Sequence, residues 1–131
     1  MPPAIALVGW FGLSAQNKKI EKAPTFSPDY NKLEEFAQKR PDGEKYVEFI
    51  RENEATLKDS DSSNDTSAYI AMGFNLHVLG DDISAIKAYN AGLYLSPYDS
   101  YGVNNIASSY KEIGEYEKAA EAYKKLSQVL S

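Results

Sequence analysis

The chain has 131 residues, of which 43% are hydrophobic and 25% charged, a composition typical of a soluble domain with a sizeable core. Its 14 Lys and Arg against 19 Asp and Glu give a net charge of -5, which disfavours sequence-independent binding of nucleic acid. It has no cysteine and one histidine, His77, so that disulfides, thiolate metal sites and multi-histidine metal sites are excluded, and we predict no cofactor and no metal.

The N-terminal segment, residues 1–17, carries no charged side chain, and three lysines follow it by residue 22. A helix of about 14 apolar residues reaches roughly 21 Å, against about 30 Å of hydrocarbon core, so a membrane crossing is marginal. Three interpretations stay open: a membrane anchor or membrane-embedded docking segment, a signal peptide, and a segment packed on the domain or on a partner. The residues expected to make membrane or docking contacts are Ile5, Leu7, Val8, Trp10, Phe11 and Leu13.

The lysines after this segment bear on localisation. Positive charge next to a membrane-spanning segment stays on the cytoplasmic side. We therefore expect a membrane-associated protein with its C-terminal bulk on the cytoplasmic or stromal side, and the alternative is a soluble cytoplasmic protein.

A linker and a helical hairpin are predicted next. Residues 18–28 contain prolines among small polar residues, which is typical of a linker, and Ser27 is the expected N-cap of the first helix. The Pro-Asp-Gly turn at residues 41–43 ends that helix. A second helix is expected from about Glu44 to Lys58, so that residues 29–58 form a hairpin able to cap the helices C-terminal to it.

The remaining chain, residues 66–131, repeats itself with a period of 34 residues, which divides it into units 66–99 and 100–131. The period pairs Gly80 with Gly114, Asp81 with Glu115, Ala85 with Ala119, and Tyr89 with Tyr123. Each unit is therefore predicted to be a helix, a turn and a helix, and the glycine in its middle ends the first helix in a left-handed turn.

Small residues inside these units indicate close packing. Gly73 in the first unit and Ala107 in the second let the two helices of a unit approach each other. Tyr89 and Tyr123 are expected to fill the space between units. Gly92 lies inside a predicted helix, where glycine costs up to about 1 kcal/mol relative to alanine.

These residues resemble the tetratricopeptide repeat. Its signature places are held by Tyr69, Met72, Gly73, Leu76, Ala85, Tyr89 and Pro97 in the first unit, and by Ile106, Ala107, Tyr110, Ala119 and Tyr123 in the second. Two places depart from the pattern, since Gly92 replaces the usual alanine and Val103 the usual aromatic residue. The resemblance covers 66 of the 131 residues and implies an all-α solenoid of helix-turn-helix repeats, preceded here by the hairpin and the apolar N-terminal segment.

Proteins with this repeat are similar to non-enzymatic scaffolds whose concave groove receives a peptide or a partner helix. The groove places of the family fall on Ser67, Ile70, Phe74, His77, Val78, Tyr101, Asn104, Ser108, Lys111 and Glu112. Members that clamp a terminal carboxylate carry lysine and asparagine where this chain has Ile70 and Phe74. We therefore expect a protein ligand with an apolar or amphipathic segment.

The last predicted helix, about Tyr116 to Leu130, has no additional helix after it to shield its outer face. That face, which includes Ala122, Leu126, Val129 and Leu130, is expected to be partly exposed unless another subunit covers it. We predict association with a partner or a second copy there.

The function predicted from these features is that of a non-enzymatic interaction scaffold. It would help assemble or stabilise a multiprotein complex, a membrane complex among them, through the groove and the N-terminal segment. The alternative is a permanent structural subunit of a larger complex, membrane-bound complexes included. No catalytic residues are predicted, because adjacent carboxylates such as Glu34 and Glu35 point apart on a helix.

Overall fold

The helices follow one another along the chain and each packs against the next. The computed structural model describes residues 24–59 and 61–130. Within these ranges the α-helices are α1 (Tyr30–Ala37), α2 (Gly43–Leu57), α3 (Asp65–Leu79), α4 (Asp82–Leu95), α5 (Ser100–Glu112) and α6 (Tyr116–Leu130). A short 3₁₀ turn, Ser62–Asn64, precedes α3, and no strand forms in the part of the chain that the structure describes. The prediction of an all-α fold resembling a helical-repeat solenoid is confirmed.

Aspartate side chains begin three of these helices. The Asp29 carboxylate accepts a hydrogen bond from the backbone N–H of Lys32 at 3.3 Å and is the N-cap of α1. The predicted cap, Ser27, is therefore wrong by two residues. Asp81 caps α4 and Asp99 caps α5 in the same way, the latter through the N–H of Gly102 at 2.9 Å. A carboxylate here accepts from N–H groups that the helix itself leaves unpaired, which fixes where each helix begins.

Left-handed glycines end the first helix of each C-terminal hairpin. Gly80 has φ 99° and Gly114 has φ 84°, backbone angles that are unfavourable for a residue with a side chain. The predicted left-handed turns are confirmed. After α3 the N–H of Asp81 donates to the carbonyl of Leu76 at 2.9 Å, which satisfies one of the last free carbonyls of the helix. The chain therefore reverses after α3 and after α5 by the same local device.

The contact between Gly73 and Tyr89 sets the spacing of α3 and α4. Tyr89 is 1% exposed, and a Cβ built on Gly73 would lie 2.4 Å from the Cε1 atom of its ring. No side chain fits at residue 73 while that ring stays in place, so the prediction that Gly73 permits a close approach is confirmed. The ring belongs to the main core, together with Met72, Leu76 and Ala85.

The outer face of α6 differs from its prediction. Tyr123, expected to fill the space between units, is 39% exposed, because no described helix packs over α6 as α5 packs over α4. Ala122, expected on the outer face, instead packs against the core, while Leu126 is half-buried. The prediction for Tyr123 is wrong, while Ala122 has the partial exposure predicted for it although it faces the core. The helix α6 also exposes the aromatic side chain of Tyr116. The side chains of residues 129 and 130 lie outside what the structure describes.

Arg40 links the hairpin of α1 and α2 to the C-terminal end of α3. Its Nη1 donates to the carbonyl of Val78 at 2.8 Å, its Nε donates to Asp42 at 2.7 Å, and its guanidinium lies 4.9 Å from the ring centre of Tyr46. The guanidinium also holds the pKa of the Asp42 carboxyl below its usual value. One side chain thus joins the turn after α1 to the last turn of α3.

The close packing of α3 and α4 can be tested with Gly73→Ala. We expect a loss of about 1–3 kcal/mol in the free energy of unfolding, because the added methyl group displaces the buried ring of Tyr89. Urea unfolding of Gly73→Ala, Tyr89→Leu and the double variant measures the coupling between the two residues. Tyr89→Leu should cost less in the alanine background than in the glycine background; equal costs would contradict the contact.

The linkage through Arg40 can be tested with Arg40→Met. We expect a lower midpoint of thermal unfolding at pH 7, whereas Lys58→Met, at the exposed C-terminal end of α2, should leave the midpoint unchanged. Because Arg40 lowers the pKa of Asp42 below its usual 3.8, that carboxylate stabilises the fold above this value and loses its contribution as the pH falls. The difference between wild type and Arg40→Met should therefore narrow below about pH 4. A constant difference would show that Asp42 takes no part.

Candidate partner-binding groove

A groove of about 580 Å³ lies between α3 and α5, and we call it the α3–α5 groove. It is lined by Ser67, Ile70, Ala71, Phe74, Asp99, Tyr101, Asn104 and Asn105. The α3 residues among these recur at intervals of three and four, as expected for one face of a helix. This volume lies within the range of about 300–1,000 Å³ typical of ligand-binding clefts.

Two glycines allow the floor of the groove to form. Ile70 is 8% exposed and points between α4 and α5. A Cβ on Gly92 would lie 2.9 Å from Cγ1 of Ile70, and one on Gly102 would lie 3.0 Å from its Cδ1. The side chain of Ile70 therefore occupies space that ordinary residues at positions 92 and 102 would need.

Gly92 was expected only to weaken its helix, and the structure gives it a packing role. The carbonyl oxygen of Thr66 also lies 3.3 Å from the place of its missing Cβ. Backbone cannot move aside as the end of a flexible side chain can. The family's usual alanine at this place would therefore push α3 away from α4.

Exposed aromatic side chains stand on the two walls of the groove. Phe74 on α3 is 49% exposed and Tyr101 on α5 is 75% exposed. Neither is needed to complete the core, so a bound ligand can remove more of the surface of both from water. Aromatic residues of this kind are common among those that contribute most to binding energy at protein interfaces.

The groove carries little charge. Of the eight described residues that line it, one, Asp99, is charged near neutral pH, and its carboxylate already accepts the N–H of Gly102 at 2.9 Å. The amides of Asn104 and Asn105 supply donors and acceptors on the α5 side. The arrangement suits an uncharged segment that presents apolar side chains and some backbone polar groups.

The structure brings half of the predicted groove residues together, namely Ser67, Ile70, Phe74, Tyr101 and Asn104. The others lie outside its lining. The Nδ1 atom of His77 lies 2.6 Å from a carboxylate oxygen of Asp82 at the turn into α4, and the carbonyl of Val78 accepts from Arg40. Ser108 is half-buried in α5, and Lys111 and Glu112 are exposed in its last turn.

Three lining residues did not belong to the predicted set. Ala71 could have been found from helical spacing, because it lies four residues after Ser67 and three before Phe74. Asp99 lies at the N-cap of α5, and Asn105 lies within α5 four residues after Tyr101, so that it too could have been found from helical spacing. The predicted docking residues Ile5, Leu7, Val8, Trp10, Phe11 and Leu13 lie outside the described residues.

A second groove, of about 330 Å³, lies between α4 and α6 over α5, and we call it the α4–α6 groove. It is lined by Asn90, Leu93, Val103, Ile106, Tyr110, Lys118, Glu121, Ala122 and Lys125. Its rim is charged. The Nζ of Lys118 lies 5.8 Å from the ring centre of Tyr110, and that of Lys125 lies 5.4 Å from the ring centre of Tyr98.

Comparison with known proteins identifies the C-terminal hairpin. Residues 102–128, which cover most of α5 and α6, match the tetratricopeptide repeat family. This part of the chain is similar to a tetratricopeptide repeat, and the helices of the structure fit that similarity. Neither the curated proteins nor the solved structures gave a significant match.

Tetratricopeptide repeats are typically non-enzymatic domains that bind protein partners, and the match at residues 102–128 suggests a protein-interaction module. The match begins at residue 102, so a second repeat at Thr66–Asp99 stays a prediction from the 34-residue period. Among the described residues, no helix is both long enough and apolar enough to cross a membrane.

The role of Gly92 can be tested with Gly92→Ala. Helix propensity alone favours alanine by about 1 kcal/mol, whereas the collision with Ile70 and the Thr66 carbonyl opposes it by about 1–3 kcal/mol. We expect a net loss of up to about 2 kcal/mol in urea unfolding. Asn90→Ala, at an exposed position of the same helix, should be neutral or stabilising. If Gly92→Ala stabilised the protein as Asn90→Ala does, the packing role would be excluded.

Proposed function

We propose that this chain is a non-enzymatic interaction scaffold whose α3–α5 groove holds an apolar or amphipathic segment of a partner protein. Through that contact it helps assemble or stabilise a multiprotein complex. The observation that carries the proposal is the pair Phe74 and Tyr101, which stand exposed on opposite walls above Ile70 in a groove with almost no free charge. The family match at residues 102–128 supports it, because α5 forms one wall of the groove.

The energetic basis of the proposal is the apolar surface that a ligand would remove from water. Covering an exposed aromatic side chain contributes about 25 cal/mol for each Å² of apolar area buried. Phe74 and Tyr101 retain roughly half and three quarters of their exposure, so both have such area to lose. Asn104 and Asn105 lie beside them, where their amides can pair with the backbone of the ligand and so avoid buried polar groups without partners.

The permanence of this contact and its association with a membrane both stay predictions. A permanent structural subunit would use the same groove and would differ in that its partner does not exchange. Association with a membrane depends on residues 1–17 and stays a prediction.

The groove can be tested by site-specific photo-cross-linking. We expect a photoreactive phenylalanine analogue at residue 74 to cross-link, in cells of the source organism, to an apolar segment of one partner protein, mapped by mass spectrometry. Tyr101→Ser should remove that cross-link because it removes the opposite wall. The same analogue at Ile83, which is 51% exposed on α4, is the matched control and should not capture this segment. Equal capture from residues 74 and 83 would contradict the proposal.

A second measurement separates a partner that exchanges from a permanent one. Purified partner, labelled and added in excess to the isolated complex, should replace the bound copy if the contact is reversible. Retention of the original copy through a high-salt wash and long incubation would favour the permanent subunit.

A further inference from the structure

We propose that the chain's own apolar segment, residues 4–13, docks into the α3–α5 groove and competes there with the partner. This inference rests on the proposed function, since it names a second occupant for the same groove. The segment reads Ala-Ile-Ala-Leu-Val-Gly-Trp-Phe-Gly-Leu, in which every residue is apolar or glycine.

The low charge of the α3–α5 groove favours this occupant. An uncharged segment gains most where it removes apolar surface from water without stripping water from ions. In the α3–α5 groove the charged residue is Asp99, whose carboxylate caps α5 by accepting the N–H of Gly102. In the α4–α6 groove the same segment would cover Lys118, Glu121 and Lys125 and offer them no counter-charge.

The described part of the chain begins close to the groove. The backbone of Phe26 lies near the hydroxyl of Tyr69 on α3, and the side chain of Phe26 packs against the core. Tyr69 is adjacent in sequence to Ile70, which forms the floor of the groove. The chain that leads back to residue 13 is therefore fixed at the N-terminal half of the helix that forms one wall.

The residues between the segment and Phe26 are long enough to bring the segment to the groove. Residues 14–25 separate the segment from Phe26, and twelve residues span up to about 40 Å when extended. α3 has 15 residues, which corresponds to about 22 Å in length, and a helix is about 10–12 Å across. The tether can therefore pass around α3 to any part of the groove, and a short tether raises the local concentration of its segment to the millimolar range.

The consequence for function is competition. A partner must displace a segment that is always present at this high local concentration, so its apparent affinity is reduced by the fraction of grooves already filled. The segment would also cover Phe74 and Tyr101 while no partner is bound. The groove then has two states, filled by its own chain or by a partner.

The chain supplies its own probe for this contact, because Trp10 is its single tryptophan and lies in the segment. In the intact protein we expect Trp10 emission shifted to the blue and weakly quenched by acrylamide. Phe74→Ser should shift the emission to the red and raise the quenching constant severalfold. Ile83→Ser, the matched exposed position on α4, should change neither, and circular dichroism should show equal helix content in all three proteins.

Several outcomes would overturn the inference. They are emission typical of a water-exposed tryptophan in the wild type, equal effects of Phe74→Ser and Ile83→Ser, and a blue shift that appears only as protein concentration rises. The last would place the segment in the groove of a second copy. Protection of Trp10 only after addition of phosphatidylcholine–phosphatidylglycerol vesicles would assign the segment to a membrane instead.

The two proposals fail in distinguishable ways. If Phe74→Ser leaves the Trp10 emission unchanged while cross-links from residue 74 still reach a partner, this inference is wrong and the proposed function stands. If Trp10 responds but cross-links from residue 74 reach only residues 4–13, the groove serves the chain itself and the proposed function is wrong. If neither signal depends on the groove, both are wrong.

Discussion

The packing of Tyr89 against Gly73 is the contact on which the other helices depend. It holds α3 and α4 so close that no side chain fits at residue 73, and the ring itself is 1% exposed. α2 packs on one side of this pair and α5 on the other, so the separation of α3 and α4 fixes where both neighbours lie. Interiors are packed as densely as organic crystals, so a shift at this contact cannot be absorbed locally.

The shape of the α3–α5 groove also depends on close packing between helices at glycine residues. Gly92 and Gly102 leave room for Ile70, and the two helices that carry Phe74 and Tyr101 are thereby held on either side of a buried floor. The aromatic side chains that a ligand would touch are surface residues, while the residues that determine how far apart they stand are buried glycines and an isoleucine. Binding residues and positioning residues are thus different sets, and both lie on rigid helices.

Much of this fold could be predicted from the sequence, because the decisive signals are local. Left-handed glycines at 80 and 114 end their helices through backbone geometry alone, and the 34-residue period fixes which residues share a position. What could not be predicted depends on neighbours in space. Tyr89 and Tyr123 hold the same place in the period, yet Tyr89 is 1% exposed and packs against Gly73, whereas Tyr123 is 39% exposed on α6, over which no described helix packs. Half of the expected groove residues line the α3–α5 groove, because a family pattern does not specify how each helix is rotated about its own axis.

The glycines behind the groove have a consequence for how such a protein can diverge. Substitutions at Phe74 or Tyr101 change the surface that contacts a ligand and leave the fold in place. New binding specificities can therefore evolve by successive substitutions at these sites. Substitutions at Gly92 or Gly102 alter the distance between the walls and disturb the core at once. Natural variants of this architecture should therefore explore many side chains on the walls while the width of the cleft stays nearly constant.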